Sequence, residues 1–124
     1  MTVWERSDSL AMSMIYKIFR TSEWEALRRD SQTAGSKQDR IDGFIHFSTA
    51  KQVAETAALH FADEAGLILA ACDVSRFGSS LKWETSRGGA EFPHVYRLLS
   101  VRDIAWSRPL PVVDGTHQFP DILE

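Results

Sequence analysis

The chain has 124 residues, of which 44% are hydrophobic and 25% are charged, and its formal net charge at pH 7 is −3. This length fits one domain, and no apolar run approaches the roughly 20 residues that a membrane-spanning helix needs. The negative net charge provides no general attraction to polyanions, so neither nucleic acid nor a membrane is expected as a partner.

The N-terminal part of the chain predicts a tail followed by a strand. Residues 1–13 include several serines and show no sustained hydrophobic period, which is typical of a flexible tail. The run 14–19 is β-branched and aromatic with one interior charge, so it predicts the first strand. We therefore expect one compact domain over residues 14–124, preceded by this tail.

A helix and a loop are predicted next. Ser22 and Glu25 have the spacing of a capping box, in which the two side chains satisfy free backbone N–H groups, and this predicts a helix over residues 22–30. The following stretch, 31–40, is polar and contains a glycine. We expect a loop there that is long enough to border a site.

The sequence Asp42-Gly43 indicates a turn, because glycine accepts positive φ and aspartate bonds its own backbone. A short strand should follow at once. Successive strand residues point to opposite faces, so Ile45 and Phe47 are predicted to face the core together. The opposite face then carries Phe44, His46 and Ser48.

A second helix and a buried strand are predicted after this central strand. Thr49 and Gln52 form another capping-box pattern, which predicts a helix over residues 50–62. The apolar run 67–74 predicts a strand buried on both faces, with Cys72 as part of the core. Since the chain has one cysteine and no secretory signal pattern at its N-terminus, we expect a cytoplasmic location.

Three short strands are predicted in the C-terminal half, over residues 81–85, 91–96 and 101–106. Alternation along the first places Trp83 in the core and Lys82 and Glu84 on the opposite face. In the second strand, His94 and Tyr96 share one face. Together the elements predict an α+β domain with a mixed or mainly antiparallel sheet and two principal helices.

Polar side chains on one face of three predicted strands are the candidates for a site. If these faces converge, paired histidines, a carboxylate and a phenol can bind the hydroxyls of a ribose or move protons. The candidate catalytic residues are His46, Glu84 and His94, and the candidate ligand-binding residues are Ser48, Lys82 and Tyr96. The alternative is a non-enzymatic interaction module, in which the same residues form a structural cluster.

A metal-dependent enzyme is a second alternative, because His46, His94 and Glu84 together are a ligand set that iron or zinc can use. The spacing argues against it, since the sequence contains no HxH, HxxxH or HExxH cluster. We therefore predict no metal. Ser48 lacks a GxSxG setting, and no GxGxxG or GxxxxGK motif indicates a Rossmann or P-loop nucleotide site.

Several motifs of the chain carry a family resemblance. They are Ile15-Tyr16-Lys17-Ile18, Trp24, Asp42-Gly43-Phe44-Ile45-His46-Phe47-Ser48, Leu81-Lys82-Trp83-Glu84 and Phe92-Pro93-His94-Val95-Tyr96. Over residues 14–110 the chain resembles the bacterial family called domain of unknown function 952 (DUF952), which has no assigned activity. That family is similar in fold to ADP-ribosyltransferases, especially the tRNA 2′-phosphotransferase branch. The resemblance implies a split, curved, mainly antiparallel mixed sheet, with NAD or an ADP-ribose-like ligand in its cleft.

The resemblance also implies a reaction for this site. Transfer of ADP-ribose passes through an oxocarbenium-like ribose, for which a carboxylate bonded to a ribose hydroxyl is suitable. Glu84 is the candidate for that carboxylate, and Arg20, Arg28 and Arg40 are candidates for phosphate contact. The expected function is thus binding of an ADP-ribose-like or nucleotide ligand, or transfer of its ADP-ribosyl group.

Overall fold

Two antiparallel sheets of three strands each form the framework of the protein. The computed structural model describes residues 13–121 except for the Arg87 side chain, so all but the last position of the predicted tail lies outside the described residues. The first sheet has the strand order β1 (Met14–Phe19), β4 (Leu67–Asp73) and β8 (Ile104–Leu110). The second has the order β3 (Ile45–His46), β6 (Glu91–Val95) and β5 (Leu81–Thr85). An antiparallel bridge between Tyr16 and Ser48 joins the two sheets.

Two short strand pairs and three helices complete the described part of the chain. The pairs are β2 (Gln32–Thr33) with β7 (Leu99–Ser100), and β9 (Val112–Val113) with β10 (Thr116–His117). The helices are α1 (Thr21–Asp30), α2 (Lys37–Asp42) and α3 (Val53–His60). Within residues 13–121 no helix is long and apolar enough to cross a membrane. The architecture agrees with the predicted α+β class, and its sheets are antiparallel.

Strands β1 and β4 of the first sheet are buried on both faces because they carry apolar residues on both, whereas β8 is largely exposed. One face packs against the second sheet and includes Ile15, Phe19 and Cys72, which lie in one cluster with Ile45 and Phe47. The other face packs against α3 and includes Ile18 and Leu69. The predicted strand over 67–74 and the predicted inward direction of Ile45 and Phe47 are therefore confirmed.

Helix α2 occupies a segment that we predicted to be a loop. The Ser36 hydroxyl accepts from the backbone N–H of Asp39 at 3.1 Å, and the Asp39 carboxylate accepts from the N–H of Ser36 at 2.8 Å. This is a capping box with aspartate in the place of the usual glutamate or glutamine. The helix ends at Gly43, whose φ of 85° lies in the left-handed region. Two reciprocal bonds thus stabilise a helix of only six residues.

The other two helices have different ends from those predicted. Helix α1 begins at Thr21 instead of Ser22, because the Glu23 carboxylate accepts from the backbone N–H of Arg20 at 2.9 Å. Helix α3 begins at Val53 instead of residue 50. The predicted bond from the Thr49 N–H to the Gln52 side chain is present at 3.0 Å, but it closes a turn that precedes the helix.

The last large strand starts later than predicted. Ser100 donates its backbone N–H to the Asp103 carboxylate at 2.8 Å, and its hydroxyl accepts from the N–H of Arg102 at 3.1 Å. These bonds stabilise a turn of 3₁₀ helix over Val101–Asp103. Strand β8 therefore begins at Ile104 and extends through Pro109, which we expected to lie in irregular structure.

The prediction that Trp83 lies in the core is wrong. The residue is 45% exposed, although Pro93, its partner on β6, is fully buried. Alternation alone places Trp83 on the inner face, but β5 is the outermost strand of its sheet. The indole therefore extends past the margin of the core.

Cys72 is predicted to be chemically inert in the folded protein. Its side chain is buried on β4, and burial raises the pKa of the thiol to about 12, so little thiolate is present at neutral pH. Reaction with a disulfide reagent at pH 7 should be slow in native buffer and fast in denaturant. Equal rates in the two solutions would contradict this placement.

Candidate functional site

A cavity of about 680 Å³ lies beside the bridge between the two sheets. Its lining comes from β1, α1, α2, β3, α3 and β6, and includes Lys17, Asp39, Asp42, His46, Ser48 and His94. A volume of this size lies within the range of pockets that bind drug-sized ligands. The cavity is therefore the candidate ligand site.

Asp39 is the central polar residue on one side of the cavity. Its side chain is 2% exposed, and its Oδ2 lies 2.8 Å from Lys17 Nζ. Its Oδ1 lies 2.6 Å from His46 Nδ1 and accepts the backbone N–H of His46 at 3.1 Å. This close packing requires Gly35, because a Cβ at that position would lie 2.2 Å from Asp39 Oδ2. Asp39 thus connects α2 to β1 and β3.

The charge of Asp39 is stable at neutral pH. Burial works to raise the pKa of its carboxyl group, but the hydrogen bond with His46 and the charge of Lys17 outweigh burial. The pKa of Asp39 therefore lies well below the usual range for a carboxyl group. Lys17 is buried as well, because it shares a strand face with Ile15 and Phe19.

His46 lies between two carboxylates. Its Nδ1 faces Asp39, and its Nε2 lies 3.1 Å from Oδ2 of Asp42, four residues earlier in the chain. Both ring nitrogens of His46 therefore face carboxylates of α2, which hold the ring at the cavity.

His94 has a different environment. Its Nδ1 lies 2.7 Å from Glu84 Oε1, and the Tyr96 hydroxyl donates to the same oxygen at 2.7 Å. The bonds from His94 and Tyr96 lower the pKa of Glu84, and the bond to Glu84 raises the pKa of Tyr96. Because an ionised Glu84 can only accept, the proton of a neutral His94 ring lies on Nδ1. Its Nε2 then carries a lone pair, and the described side chains provide no hydrogen bond to it.

Phe44 holds the two histidines side by side. Its ring stacks on His94 with centroids 4.2 Å apart and lies 4.6 Å from the His46 ring. The imidazole centroids are 5.2 Å apart, at an interplanar angle of 68°. The two histidines lie opposite each other on β3 and β6, where they are register partners. The site thus presents two adjacent histidines, each held through Nδ1 by a different carboxylate.

Two hydroxyls and one exposed arginine are further polar groups of the cavity, whose lining also includes Glu23, Gln38 and His60. Ser48 Oγ lies 2.9 Å from Thr56 Oγ1 on α3. Arg20 lies over the Phe61 ring, with its guanidinium carbon 4.7 Å from the centroid, and forms two bonds of 2.9 Å to Glu64. Arg20 is therefore the candidate arginine that lines this cavity, whereas Arg28 and Arg40 are not part of the lining.

The structure brings most of the sequence-predicted site residues together. His46, His94 and Ser48 line the large cavity. Glu84 and Tyr96 lie behind His94 and are not in the lining, and Lys82 Nζ lies 5.9 Å from the centroid of the Tyr96 ring on the exposed side. Their predicted roles in ligand binding remain predictions.

Three residues of the site were missed by the sequence analysis: Lys17, Asp39 and Asp42. A signal for two of them was present. Lys17 is a lone charge in an otherwise apolar strand, and the spacing of Ser36 and Asp39 fits a capping box. What the sequence could not indicate is that Asp39 of this box would also contact β1 and β3.

The geometry gives no support to the metal-dependent alternative. Among residues 13–121 no group of three or more histidine, cysteine or acidic side chains is arranged as a metal site. The Nδ1 atoms of His46 and His94 bind two different carboxylates, on α2 and on β5. Glu84, the third predicted ligand, is bonded to His94 Nδ1 and lies outside the cavity lining, so the three predicted ligands do not share one open position.

Comparisons with known proteins identify relatives of the chain. A family described as protein of unknown function (DUF952) matches residues 18–107. The chain is similar to protein CC0527 from Caulobacter crescentus, whose crystal structure has 44% sequence identity, a TM-score of 0.82 and coverage of 86% of this chain and 94% of that one. A solution NMR structure of CC0527 has 42% identity, a TM-score of 0.77 and coverage of 86% and 91%. No curated protein matches the chain.

Proposed function

The chain belongs to the DUF952 family, whose description assigns no activity, and we propose from the site itself that it binds NAD or an ADP-ribose-like nucleotide and transfers the ribosyl part. The observation that carries this proposal is the pair of adjacent histidines, each with Nδ1 on a carboxylate, at a cavity of about 680 Å³. Carboxylate-held histidines are suited to proton transfer at a fixed position.

The charge balance of the cavity supports a ribose-containing ligand. The charges of Lys17 and Asp39, 2.8 Å apart, neutralise each other. A ligand in the interior therefore meets mainly hydrogen-bond donors and acceptors and little net charge from this pair. Ribose hydroxyls need such mixed partners, and Ser48 and Asp42 provide them beside His46. Arg20, which is partly exposed and lines the cavity, is the proposed contact for a phosphate of the same ligand, in exchange for its bonds to Glu64.

In the proposed reaction, the bond between ribose C1′ and the nicotinamide nitrogen breaks, and that nitrogen keeps the electron pair. A new bond forms between C1′ and the oxygen of a water or hydroxyl acceptor. His94 takes the proton of that acceptor on Nε2, and Glu84 stabilises the charge that His94 gains. Asp39 holds His46 through Nδ1, and Nε2 of His46 is available for a hydrogen bond with the ligand when Asp42 turns to a ribose hydroxyl.

Glu84 has a positioning role in this proposal. Its carboxylate lies on the far side of His94 from the cavity, so the carboxylate assigned to the ribose is Asp42, which lines the cavity. Kinship with the ADP-ribosyltransferase fold belongs to the proposal too. It is supported by the two antiparallel sheets and by a cavity whose lining comes from both of them.

The test separates binding from turnover. Calorimetry should detect heat when NAD or ADP-ribose is titrated into the wild type, and release of nicotinamide from NAD should be measured in parallel. Replacing His94 with glutamine should preserve binding within a few-fold and lower the rate of release by about 10²–10⁴-fold, the usual contribution of a general base. Glu84→Gln should show a smaller loss.

The matched control is Glu91→Gln, since Glu91 lies on the same sheet and is exposed, outside the cavity lining. Its binding and turnover should equal those of the wild type. No heat from either ligand at millimolar concentration would refute the proposal and favour the non-enzymatic interaction module. If His94→Gln lost both ligand binding and thermal stability, the histidine pair would have a structural role.

A further inference from the structure

Strand β5 leaves one edge of the second sheet open. It pairs with β6 on one side only, and no strand within residues 13–121 pairs with its outer side. Its sequence, Leu81-Lys82-Trp83-Glu84-Thr85, contains no proline, and its register with β6 is continuous over five residue pairs. An unprotected edge of this kind is a template for pairing with another strand.

The position of Pro93 determines which backbone groups face the open edge. Trp83 lies opposite Pro93, which has no N–H, so this is a non-hydrogen-bonded pair of the ladder. The Tyr96 N–H donates to the Ser80 carbonyl at 2.8 Å, so Ser80 belongs to a hydrogen-bonded pair. The two kinds of pair alternate along the ladder, so Trp83, three positions later, again belongs to a non-hydrogen-bonded pair. The N–H and C=O groups of Leu81, Trp83 and Thr85 therefore point away from β6.

The side chains of β5 are complementary to a second copy of the same strand. Lys82 and Glu84 flank Trp83 on either side and share one face. In antiparallel pairing centred on Trp83, Lys82 of each copy lies opposite Glu84 of the other, and Leu81 lies opposite Thr85. Trp83 then pairs with itself across the twofold axis, so that two half-exposed indoles meet.

We propose that the chain forms a twofold-symmetric dimer through this pairing of β5 with β5 of a second copy. In that register the outward groups of Trp83, the Thr85 N–H and the Leu81 carbonyl find partners, whereas the Leu81 N–H already donates to the Gly78 carbonyl. Two opposite-charge pairs lie across the two strands. Glu84 can join both the dimer and the site, because Oε1 binds His94 and Tyr96 while Oε2 has no hydrogen bond from the described side chains. Lys82 of the second copy thus reaches the carboxylate that positions His94. The dimer depends on β5 and not on the proposed reaction.

Sedimentation velocity from micromolar to millimolar protein tests the dimer. The wild type should associate reversibly, and Lys82→Glu should raise the dissociation constant by about tenfold or more, because two attractive cross-strand pairs become two like-charge pairs. Glu84→Lys should have the same effect alone. An equimolar mixture of the two variants should associate again. Positions 82 and 84 both carry carboxylates in Lys82→Glu and both carry ammonium groups in Glu84→Lys, so opposite charges face each other across the mixed dimer.

A backbone variant provides an independent arm. Thr85→Pro removes an outward N–H that β6 does not use, so it should weaken the dimer and preserve the melting temperature of the dilute protein. A wild type that is monomeric at every concentration would overturn the proposal. The proposal would also be overturned if Lys82→Glu and Thr85→Pro each associated as strongly as the wild type, with melting showing that both variants are folded.

Discussion

Replacing Asp39 with alanine is expected to lower the free energy of unfolding by about 3–5 kcal/mol, because it leaves the buried ammonium group of Lys17 without its partner. The substitution also removes acceptors from His46 and from the N–H of Ser36. Urea unfolding at pH 7 measures the change, with an unaltered m-value as evidence that the unfolded state is the same.

Asp42→Asn is the matched control, since Asp42 lies on the same helix and faces the other nitrogen of His46, but is exposed. Its change should stay within about 0.5 kcal/mol. Similar losses for the two variants would contradict the central role of Asp39. The double variant Lys17→Met, Asp39→Leu should recover part of the loss, because it removes both buried charges.

The pH dependence of stability provides a second measurement on Asp39. Its pKa is lower in the folded protein than in the unfolded chain, so the unfolded state binds the proton first as the pH falls. The contribution of Asp39 to stability is therefore complete above the unfolded value of about 3.9 and is lost below it. The slope of unfolding free energy against pH in that acidic range should be smaller for Asp39→Ala than for the wild type.

Replacing Phe47 with alanine is expected to destabilise the protein by about 3–5 kcal/mol through lost burial and a residual cavity. Phe47 is 2% exposed and belongs to the core cluster between the two sheets, with its ring centroid 5.7 Å from that of Phe77. The change should appear as a lower urea midpoint with an unchanged m-value.

Trp83→Ala is the control for Phe47→Ala, because it removes a larger aromatic ring from the edge of the sheet. With 45% of the residue already exposed, its cost should be about 1 kcal/mol or less in dilute protein. If Trp83→Ala were as damaging as Phe47→Ala, the placement of the indole outside the core would be wrong.

Much of the local structure could be predicted because it depends on near neighbours in sequence. Strands β1, β4 and β5 were predicted to within a residue from their apolar or alternating patterns. Helix α2 was missed because its capping box uses aspartate, in a segment whose polar composition resembles that of a loop. The ends of α1 and α3 depend on single hydrogen bonds, which such patterns locate only approximately.

The sequence by itself determined which side chains share a face, because alternation is a local property of extended backbone. It thereby placed Phe47 in the core and predicted a common surface for His46, Glu84 and His94. Only the tertiary structure decided which strand is outermost, and hence that Trp83 is exposed. Only the tertiary structure brought Lys17 and Asp39 to within 2.8 Å, since a contact between residues so far apart in the chain depends on how the elements pack. That contact, with the one from Asp39 to His46, is what organises the site.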